Sequence, residues 1–218
     1  MYEHKNKPLR YEKKYKIEHL SKAYVLQALR MHPAAFRKLY PDRTINNIYF
    51  DTPNLTTYHQ NVAGIADRKK FRVRWYGEEI TQIEAPQFEI KFKQAELGGK
   101  HIQKVDSFQL DDLEKLTKEI NKNSQTDALL QPVLINSYRR AYYATSNQKF
   151  RITIDTDLRY CPLLKSKNFN QTYYSESGVV LELKYALEDD QLVDFINQFL
   201  PFRQTKKSKY VTGMMSAV

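Results

Sequence analysis

Five segments of the chain alternate residue by residue between apolar and charged side chains, and this period constrains the fold more than any other feature. They are 11–17, 71–75, 88–93, 150–155 and 180–184. In an extended strand, residues i and i+2 share a face. Phe71, Val73 and Trp75 therefore face one way, while Arg72 and Arg74 face the other. The pattern predicts strands with one apolar and one charged face.

The charged faces of these strands are more uniform than the exposed face of a sheet normally is. Each strand alone fits a half-buried sheet with its polar side in water. Taken together, however, nearly all the polar positions are charged, and cations are in excess. The alternation places on these faces Glu12, Lys14, Glu89, Lys91, Lys93, Arg151, Glu182 and Lys184, with Tyr138 and Arg140 sharing another. A sheet closed into a barrel with a polar interior accounts for this pattern.

Cations enclosed in a barrel need a counter-charge, because unpaired interior charges are expensive to desolvate. A multiply charged anion with a bound metal would supply it, so the predicted ligand is a compact polyphosphate. The chain has only six glycines and neither of the glycine-rich phosphate-binding motifs. Arginine and lysine side chains must therefore hold the phosphates, and arginine suits bidentate contacts to their oxygens.

The remaining elements can be placed approximately from periodicity and turn residues. Strands are predicted at 10–17, 46–51, 70–76, 87–93, 133–143, 150–158 and 179–185, and helices at 21–31, 111–122 and 189–200. A basic tail follows the last helix. Roughly eight strands with inserted helices predict an α+β domain built on a mostly antiparallel sheet or barrel. The length of the chain favours a single domain.

Composition limits the cellular setting and the partners. Lysine and arginine total 35 against 25 acidic residues, giving a formal net charge of +10, which attracts polyanions. The single cysteine excludes an intramolecular disulfide framework and fits a reducing compartment. No run is long and apolar enough to span a membrane, and 1–10 lacks an apolar signal segment. We therefore expect a cytoplasmic location; a membrane protein is a compatible partner, and the oligomeric state is left open.

Several fragments in this order resemble the VTC domain. They are 10–15 (Arg-Tyr-Glu-Lys-Lys-Tyr), 46–52, 71–77 (Phe-Arg-Val-Arg-Trp-Tyr-Gly), 88–91 (Phe-Glu-Ile-Lys), 180–184 (Val-Leu-Glu-Leu-Lys) and 206–210 (Lys-Lys-Ser-Lys-Tyr). The VTC domain is the polyphosphate polymerase module of the vacuolar transporter chaperone complex. It belongs to the triphosphate tunnel metalloenzymes, a CYTH-like superfamily that includes triphosphatases. The resemblance spans about residues 8–213 and implies one domain of the α+β class: an eight-stranded antiparallel β-barrel, or tunnel, with a polar, charged interior and helices packed outside. It also implies Mn²⁺ or Mg²⁺, and phosphoryl transfer from ATP or another nucleoside triphosphate to inorganic polyphosphate.

The resemblance also implies roles for individual residues. The basic phosphate-binding positions of the family correspond to Lys14, Arg72, Arg74, Lys91, Arg140, Arg151, Lys206 and Lys209, and further phosphate contacts correspond to Tyr138 and Ser208. Arg72, Arg74, Arg140 and Lys209 are the expected catalytic cations. Glu182 corresponds to the metal-binding carboxylate, with Glu12 or Glu89 as helpers. Lys93 and Lys184 are expected to face inward by alternation only.

Other functions stay open at this point. A triphosphatase must deprotonate water, and Glu89 or Asp155 could serve as the base. The first strand, however, has one inward glutamate, Glu12, where the CYTH signature Glu-x-Glu-x-Lys has two, which weakens the case for a two-metal hydrolase. Non-catalytic polyphosphate binding is a third candidate. Nucleic acid is not an expected partner, because the aromatic residues lie opposite the cations rather than beside them.

Overall fold

The chain folds into a closed antiparallel β-barrel, and the structure, a computed structural model, describes residues 5–79, 81–164 and 174–215. The strands are β1 (Lys5–Ile17), β2 (Arg37–Asp51), β3 (Arg68–Tyr76), β4 (Gln82–Ile83), β5 (Gln87–Gln94), β6 (Leu97–Lys104), β7 (Phe108–Gln109), β8 (Gln131–Ala144), β9 (Arg151–Pro162), β10 (Tyr174–Glu176) and β11 (Val179–Ala186). Eight of them pair in the order β9-β11-β1-β6-β5-β3-β2-β8, and β8 pairs with β9 to close the ring.

Helices and two small additions surround the barrel. The helices are α1 (Lys22–Met31), α2 (Thr56–Val62), α3 (Leu113–Asn123), α4 (Val193–Gln198), preceded by a 3₁₀ helix (Leu187–Leu192), and α5 (Lys209–Met214). β10 extends the sheet beside β9, and β4 pairs with β7 separately. Among the described residues, no helix is long and apolar enough to cross a membrane.

The apolar faces of the strands point outward and are covered by helices. Phe71, Val73 and Trp75 of β3 share one buried cluster with Leu116 and Ile120 of α3. On the other side of the barrel, a second cluster joins the outer residues of β9 and β11 to α1 and α4, and consists largely of Val25, Leu29, Ile152, Ile154, Leu181, Leu183, Val193 and Ile196. Burying these apolar side chains outside the ring leaves the charged positions inside it.

The last helix closes one end of the barrel. Tyr210 of α5 stacks on Tyr49, their ring centroids 5.1 Å apart, and its hydroxyl donates to Asp51. A third buried cluster includes Tyr210 and Met214 together with the inward-facing Tyr138 of β8. Ser208 caps the helix by accepting from the backbone N–H of Val211, at 3.3 Å. The segment expected to be a basic tail is thus partly a buried plug.

Most of the predicted strands and helices are confirmed. Helix α1 begins after Ser21, which caps it as its position in the sequence suggests. Strand β6, the short strands β4, β7 and β10, and helix α2 were not predicted. Gly99 lies within β6, where a Cβ would meet the ring of Phe92 at 2.4 Å, so glycine is required at this position of the strand. The predicted helix 189–200 is instead a 3₁₀ helix followed by the short α4, which leaves Phe195 and Phe199 about half exposed.

The close packing of α5 against the barrel predicts that a larger residue at position 213 destabilises the protein. A Cβ at this position would lie 2.5 Å from a Leu134 methyl and 2.7 Å from the ring of Tyr160, both fully buried. Overpacking a rigid core costs about 1–3 kcal/mol, so we expect Gly213→Ala to lower the free energy of unfolding by that amount in urea denaturation. Gly98→Ala is the control, since its nearest contact would be an ordinary 3.9 Å. Equal stability of the two variants would contradict the placement of α5.

Candidate functional site

The barrel encloses a charged cavity of about 410 Å³. Eleven lysine and arginine side chains line it, together with two carboxylates. Of the residues predicted from the sequence, it is lined by Glu12, Lys14, Arg72, Arg74, Lys91, Tyr138, Arg140, Arg151, Glu182, Lys184, Ser208 and Lys209. Strands β1, β3, β8 and β11 each supply two residues of this set, and β5 and β9 supply one each.

A buried glutamate fixes two of the cations on one wall. Glu89 of β5 is completely buried and accepts from Nε of Arg72 at 2.7 Å. It also accepts from a terminal nitrogen of Arg72 and from Nζ of Lys100. Burial alone would raise the pKa of Glu89, but Arg72, Arg74 and Lys100 outweigh it and hold that pKa well below the usual range. Glu89 therefore stays ionised and orients Arg72.

Arg74 is held by neutral partners rather than by a carboxylate. Its Nε donates to Oδ1 of Asn47 at 2.9 Å, and a terminal nitrogen donates to the hydroxyl of Tyr138 at 2.9 Å. Asn47 is itself fixed by a 2.8 Å hydrogen bond to Asn136. The nearest oxygen of Glu89 is 3.9 Å away. Most of the positive charge of Arg74 is consequently left for a ligand.

A second buried carboxylate organises the opposite wall. Asp155 of β9 accepts two hydrogen bonds from Arg140, at 2.6 and 2.7 Å, in a bidentate pair. Lys209 of α5 reaches Asp155 at 2.6 Å and Glu182 at 3.4 Å, and its Nζ lies 4.9 Å from the ring centre of Tyr138. Burial lowers the pKa of Lys209, but Asp155 and Glu182 outweigh it and raise that pKa. The plug helix thus delivers one cation to the site.

Glu12 lies among lysines from three different strands. Its carboxylate is 2.9 Å from Lys14, 3.8 Å from Lys91 and 3.7 Å from Lys184. Lys184 also contacts Glu182 at 3.0 Å. Each of these carboxylates serves several ammonium groups, so none of the ammonium groups is fully neutralised by the protein.

Burial and the surplus of cations together lower the pKa of several lysines. For Lys91, the carboxylate of Glu12 raises the pKa, but burial and the neighbouring cations outweigh it and bring the pKa to about 8. Burial, opposed by Glu89 but aided by Arg72 and Arg74, lowers the pKa of Lys100 to about 7. Burial, reinforced by Lys14 and Lys91, holds the pKa of Lys70 well below its usual value. Such shifts are typical of a binding site for an anion.

Three predicted residues lie elsewhere. Glu89 is buried behind Arg72 and does not line the cavity. Lys93 continues the inward parity of β5 but lies at the end of the strand, where it lines a separate hollow of about 610 Å³. Lys206 is exposed. The residues on either side of it bind to β1 instead: the N–H of Thr205 donates to the carbonyl of Lys14, and the carbonyl of Lys207 accepts from Nζ of Lys14.

Two lining lysines were not predicted. Lys70 has the same parity in β3 as Arg72 and Arg74, so the alternation itself could have identified it. Its Nζ donates to the hydroxyl of Ser208 at 3.0 Å. Lys100 lies on β6, which was not predicted, because residues 97–104 show no clear alternation of apolar and charged side chains.

The acidic residues suit a metal ion only in combination with a ligand. Among the described residues, no group of three acidic, histidine or cysteine side chains could hold a metal. Magnesium, however, is commonly bound by one or two carboxylates together with substrate phosphates. Glu182 and Glu12 line the cavity, and Glu182 lies 3.6 Å from Arg140. The donor set fits a divalent ion that arrives with a phosphate chain.

Solved structures share this fold at low sequence identity. The chain matches a protein from Pyrococcus horikoshii with a TM-score of 0.56 and 10% identity, covering 96% of this chain and 99% of that one. It also matches a candidate adenylate cyclase from Vibrio parahaemolyticus with a TM-score of 0.54 and 12% identity, covering 94% and 97%. These similarities show the triphosphate-tunnel fold. No curated protein matches the chain in sequence.

The family is established by the sequence. The sequence model of the VTC domain matches residues 9–218, which is nearly the whole chain. The closed barrel, the outer helices and the charged interior agree with the fold that this family implies. The chain therefore belongs to the VTC domain family.

Proposed function

We propose that residues 8–213 form one metal-dependent phosphoryl transferase domain that binds a nucleoside triphosphate in the barrel and extends inorganic polyphosphate from ATP. The observation that supports this most strongly is the excess of cations in the cavity. Eleven basic side chains are opposed by the two lining carboxylates and by the buried Glu89 and Asp155. A chain of linked phosphates carries dense negative charge in a narrow form, which suits this cavity better than a single small anion does.

The proposed mechanism depends on alignment and charge neutralisation. Phosphoryl transfer needs little covalent chemistry from the protein. Arg72 and Arg140, oriented by Glu89 and Asp155, and Arg74, oriented by Asn47, would hold the non-bridging oxygens of the phosphates. Lys91 and Lys209 would neutralise charge that develops during transfer. A divalent ion, Mn²⁺ or Mg²⁺, bound by Glu182 and Glu12 would supply further neutralisation of the phosphates.

The state of the carboxylates favours transfer to phosphate over hydrolysis. A general base works best when its pKa lies near the operating pH. In all four carboxylates of the site burial raises the pKa, but neighbouring cations outweigh it and lower the pKa below the ordinary value, for Glu12, Glu89, Asp155 and Glu182. These groups are poorly suited to deprotonating water. A terminal phosphate acceptor is already anionic and needs no base, so we propose polymerisation ahead of triphosphatase activity.

The proposed setting is the cytoplasm. Cys161 is free and buried, as expected for a chain that does not use disulfides. ATP would be the donor and inorganic polyphosphate the acceptor and product.

The first prediction concerns the product. When the protein is incubated with ATP and Mn²⁺, we expect phosphate chains that migrate as a ladder of long polymers on a gel, together with ADP. Arg72→Ala and Arg140→Ala should each reduce the rate about 100-fold or more, the loss typical of removing one group that stabilises transition-state charge. Release of orthophosphate without polymer would contradict polymerisation and assign a triphosphatase instead. Binding of ATP without turnover would leave only a binding module.

The second prediction separates ligand binding from structural ion pairing at Lys91. This lysine has one distant carboxylate partner and several cationic neighbours. Lys91→Met should therefore leave the thermal midpoint unchanged or raise it, by about 2–4 °C for each kcal/mol gained. Tripolyphosphate should bind about 10- to 100-fold more weakly, the worth of one charge-assisted hydrogen bond.

The matched control for Lys91→Met is Lys118→Met. Lys118 is exposed on α3, pairs with Glu114 at 2.7 Å and does not line the cavity, so the same change of charge occurs outside the site. It should alter neither tripolyphosphate affinity nor stability appreciably. If Lys91→Met destabilised the protein and left binding intact, Lys91 would be a structural residue.

The third prediction is a pH dependence. Lysines with lowered pKa values, about 7 for Lys100 and about 8 for Lys91, lose protons as the pH rises through those values. A bound polyanion favours their charged forms and raises both pKa values, so binding takes up protons. Tripolyphosphate affinity should fall as the pH rises from about 7 to 9. Calorimetry in buffers of different ionisation enthalpy measures the uptake, which Lys91→Met should reduce; no uptake would contradict the lowered pKa values.

A further inference from the structure

The open end of the barrel carries a group of tyrosines that the phosphate chemistry does not use. Tyr40, Tyr76 and Tyr142 line the cavity at the end opposite α5. Tyr40 and Tyr76 remain 49% and 44% exposed, although each is a large aromatic side chain. The rings of Tyr40 and Tyr142 meet edge to face, with centroids 5.7 Å apart. These three rings form the mouth of the cavity, which we call the tyrosine mouth.

Arg43 sits over all three rings. Its guanidinium carbon lies 5.6 Å from the centre of Tyr40, 5.9 Å from that of Tyr76 and 6.0 Å from that of Tyr142. Arg43 is exposed, and it lies opposite Arg140 in the β2–β8 register. A planar cation among aromatic rings provides stacking surfaces of the kind that bind nucleobases.

The tyrosine mouth is adjacent to the cations that would hold phosphates. Tyr76 follows Arg74 by two residues in β3, and Tyr142 follows Arg140 by two residues in β8. Two residues of strand span about 7 Å, so each ring lies one inward position nearer the opening than its arginine. A nucleotide whose phosphates contact Arg74 and Arg140 would place its sugar across this interval and its base among the rings.

We propose that the tyrosine mouth and Arg43 form a stacking site for the base of a nucleoside triphosphate. The inference rests on the proposed function, because it requires the phosphates to lie in the barrel. It adds a reason why the donor is a nucleotide rather than inorganic tripolyphosphate: the rings would bind the base, which tripolyphosphate lacks. Stacking on aromatic rings discriminates weakly between bases, so purine and pyrimidine triphosphates should both be accepted. Polyphosphate, which has no base, gains nothing from this site.

Single variants of the tyrosine mouth test the proposal. Tyr76→Leu, Tyr40→Leu and Arg43→Gln would be titrated by calorimetry with the β,γ-imido analogue of ATP and, separately, with tripolyphosphate. Loss of stacking on one aromatic side chain should weaken the ATP analogue about 5- to 100-fold at the tyrosines. Tripolyphosphate affinity should stay within about twofold for Tyr76→Leu and Tyr40→Leu. Tyr24→Leu on α1 is the matched control, since Tyr24 is also 50% exposed and does not line the cavity.

The outcomes of these titrations distinguish a failure of the stacking site from a failure of the proposed function. An ATP analogue that binds Tyr76→Leu and Tyr40→Leu as tightly as the wild-type protein overturns the stacking site and leaves the phosphate site intact. Equal losses for both ligands also overturn it, because the rings would then act through the shape of the barrel. A wild-type protein that binds neither ligand overturns the proposed function and the stacking site together. Thermal unfolding of each variant confirms that it is folded.

Discussion

The main physical constraint on this structure is the mutual repulsion of the cations that the closed barrel brings together. Closure of the β-sheet sends every second residue of each strand to the interior, and these positions together with Lys209 of α5 place eleven lysine and arginine side chains around the cavity. Four carboxylates offset part of this charge, and they do so in shared contacts: Glu89 serves Arg72 and Lys100, and Asp155 serves Arg140 and Lys209. Burial and the positive charge that remains then lower the pKa values of Lys91 and Lys100.

The two kinds of cation in the cavity have different physical roles. Arg72 and Arg140 are each held by a buried carboxylate, so their directions are set before a ligand enters. Lys70 and Lys91 are held weakly and surrounded by like charge. The first kind fixes geometry, while the second stores unfavourable electrostatic energy that an entering polyanion would relieve. A site that is destabilised without its ligand is a common compromise between stability and function.

The alternation of residues predicted the strands and their two faces, and the nearly uniform charge of the polar faces then favoured a barrel over a half-buried sheet. For Arg72, Arg74, Glu182 and Lys184 the strand parity alone gives the direction of the side chain. It fails for Lys93, where the parity is right but the position along the strand lies beyond the cavity. Distance along the barrel axis depends on strand register and tilt, which one strand's sequence does not contain.

Contacts between distant segments escaped prediction for a related reason. Lys100 lies on a strand that contains Gly98 and Gly99 and that the sequence did not predict. The need for glycine at 99 becomes clear only from the neighbouring strand, where the ring of Phe92 occupies the space of a Cβ. The placement of α5 inside the barrel end likewise depends on Gly213, which allows Leu134 and Tyr160 to approach the helix backbone. In both cases glycine marks close packing rather than a turn.

The closed end and the open end of the barrel together give the cavity a direction. At the closed end, Lys209 enters with α5 and joins the Asp155 and Glu182 contacts, so the plug helix is part of the charged site. At the other end, the interior changes from arginines to exposed tyrosine rings within two residues of strand. A ligand that satisfied both environments would be strongly anionic at its inner end and planar and aromatic at its outer end. This difference between the two ends of the cavity follows from the residue order along β3 and β8, where Arg74 precedes Tyr76 and Arg140 precedes Tyr142. It is therefore built into the strands and requires no conformational change.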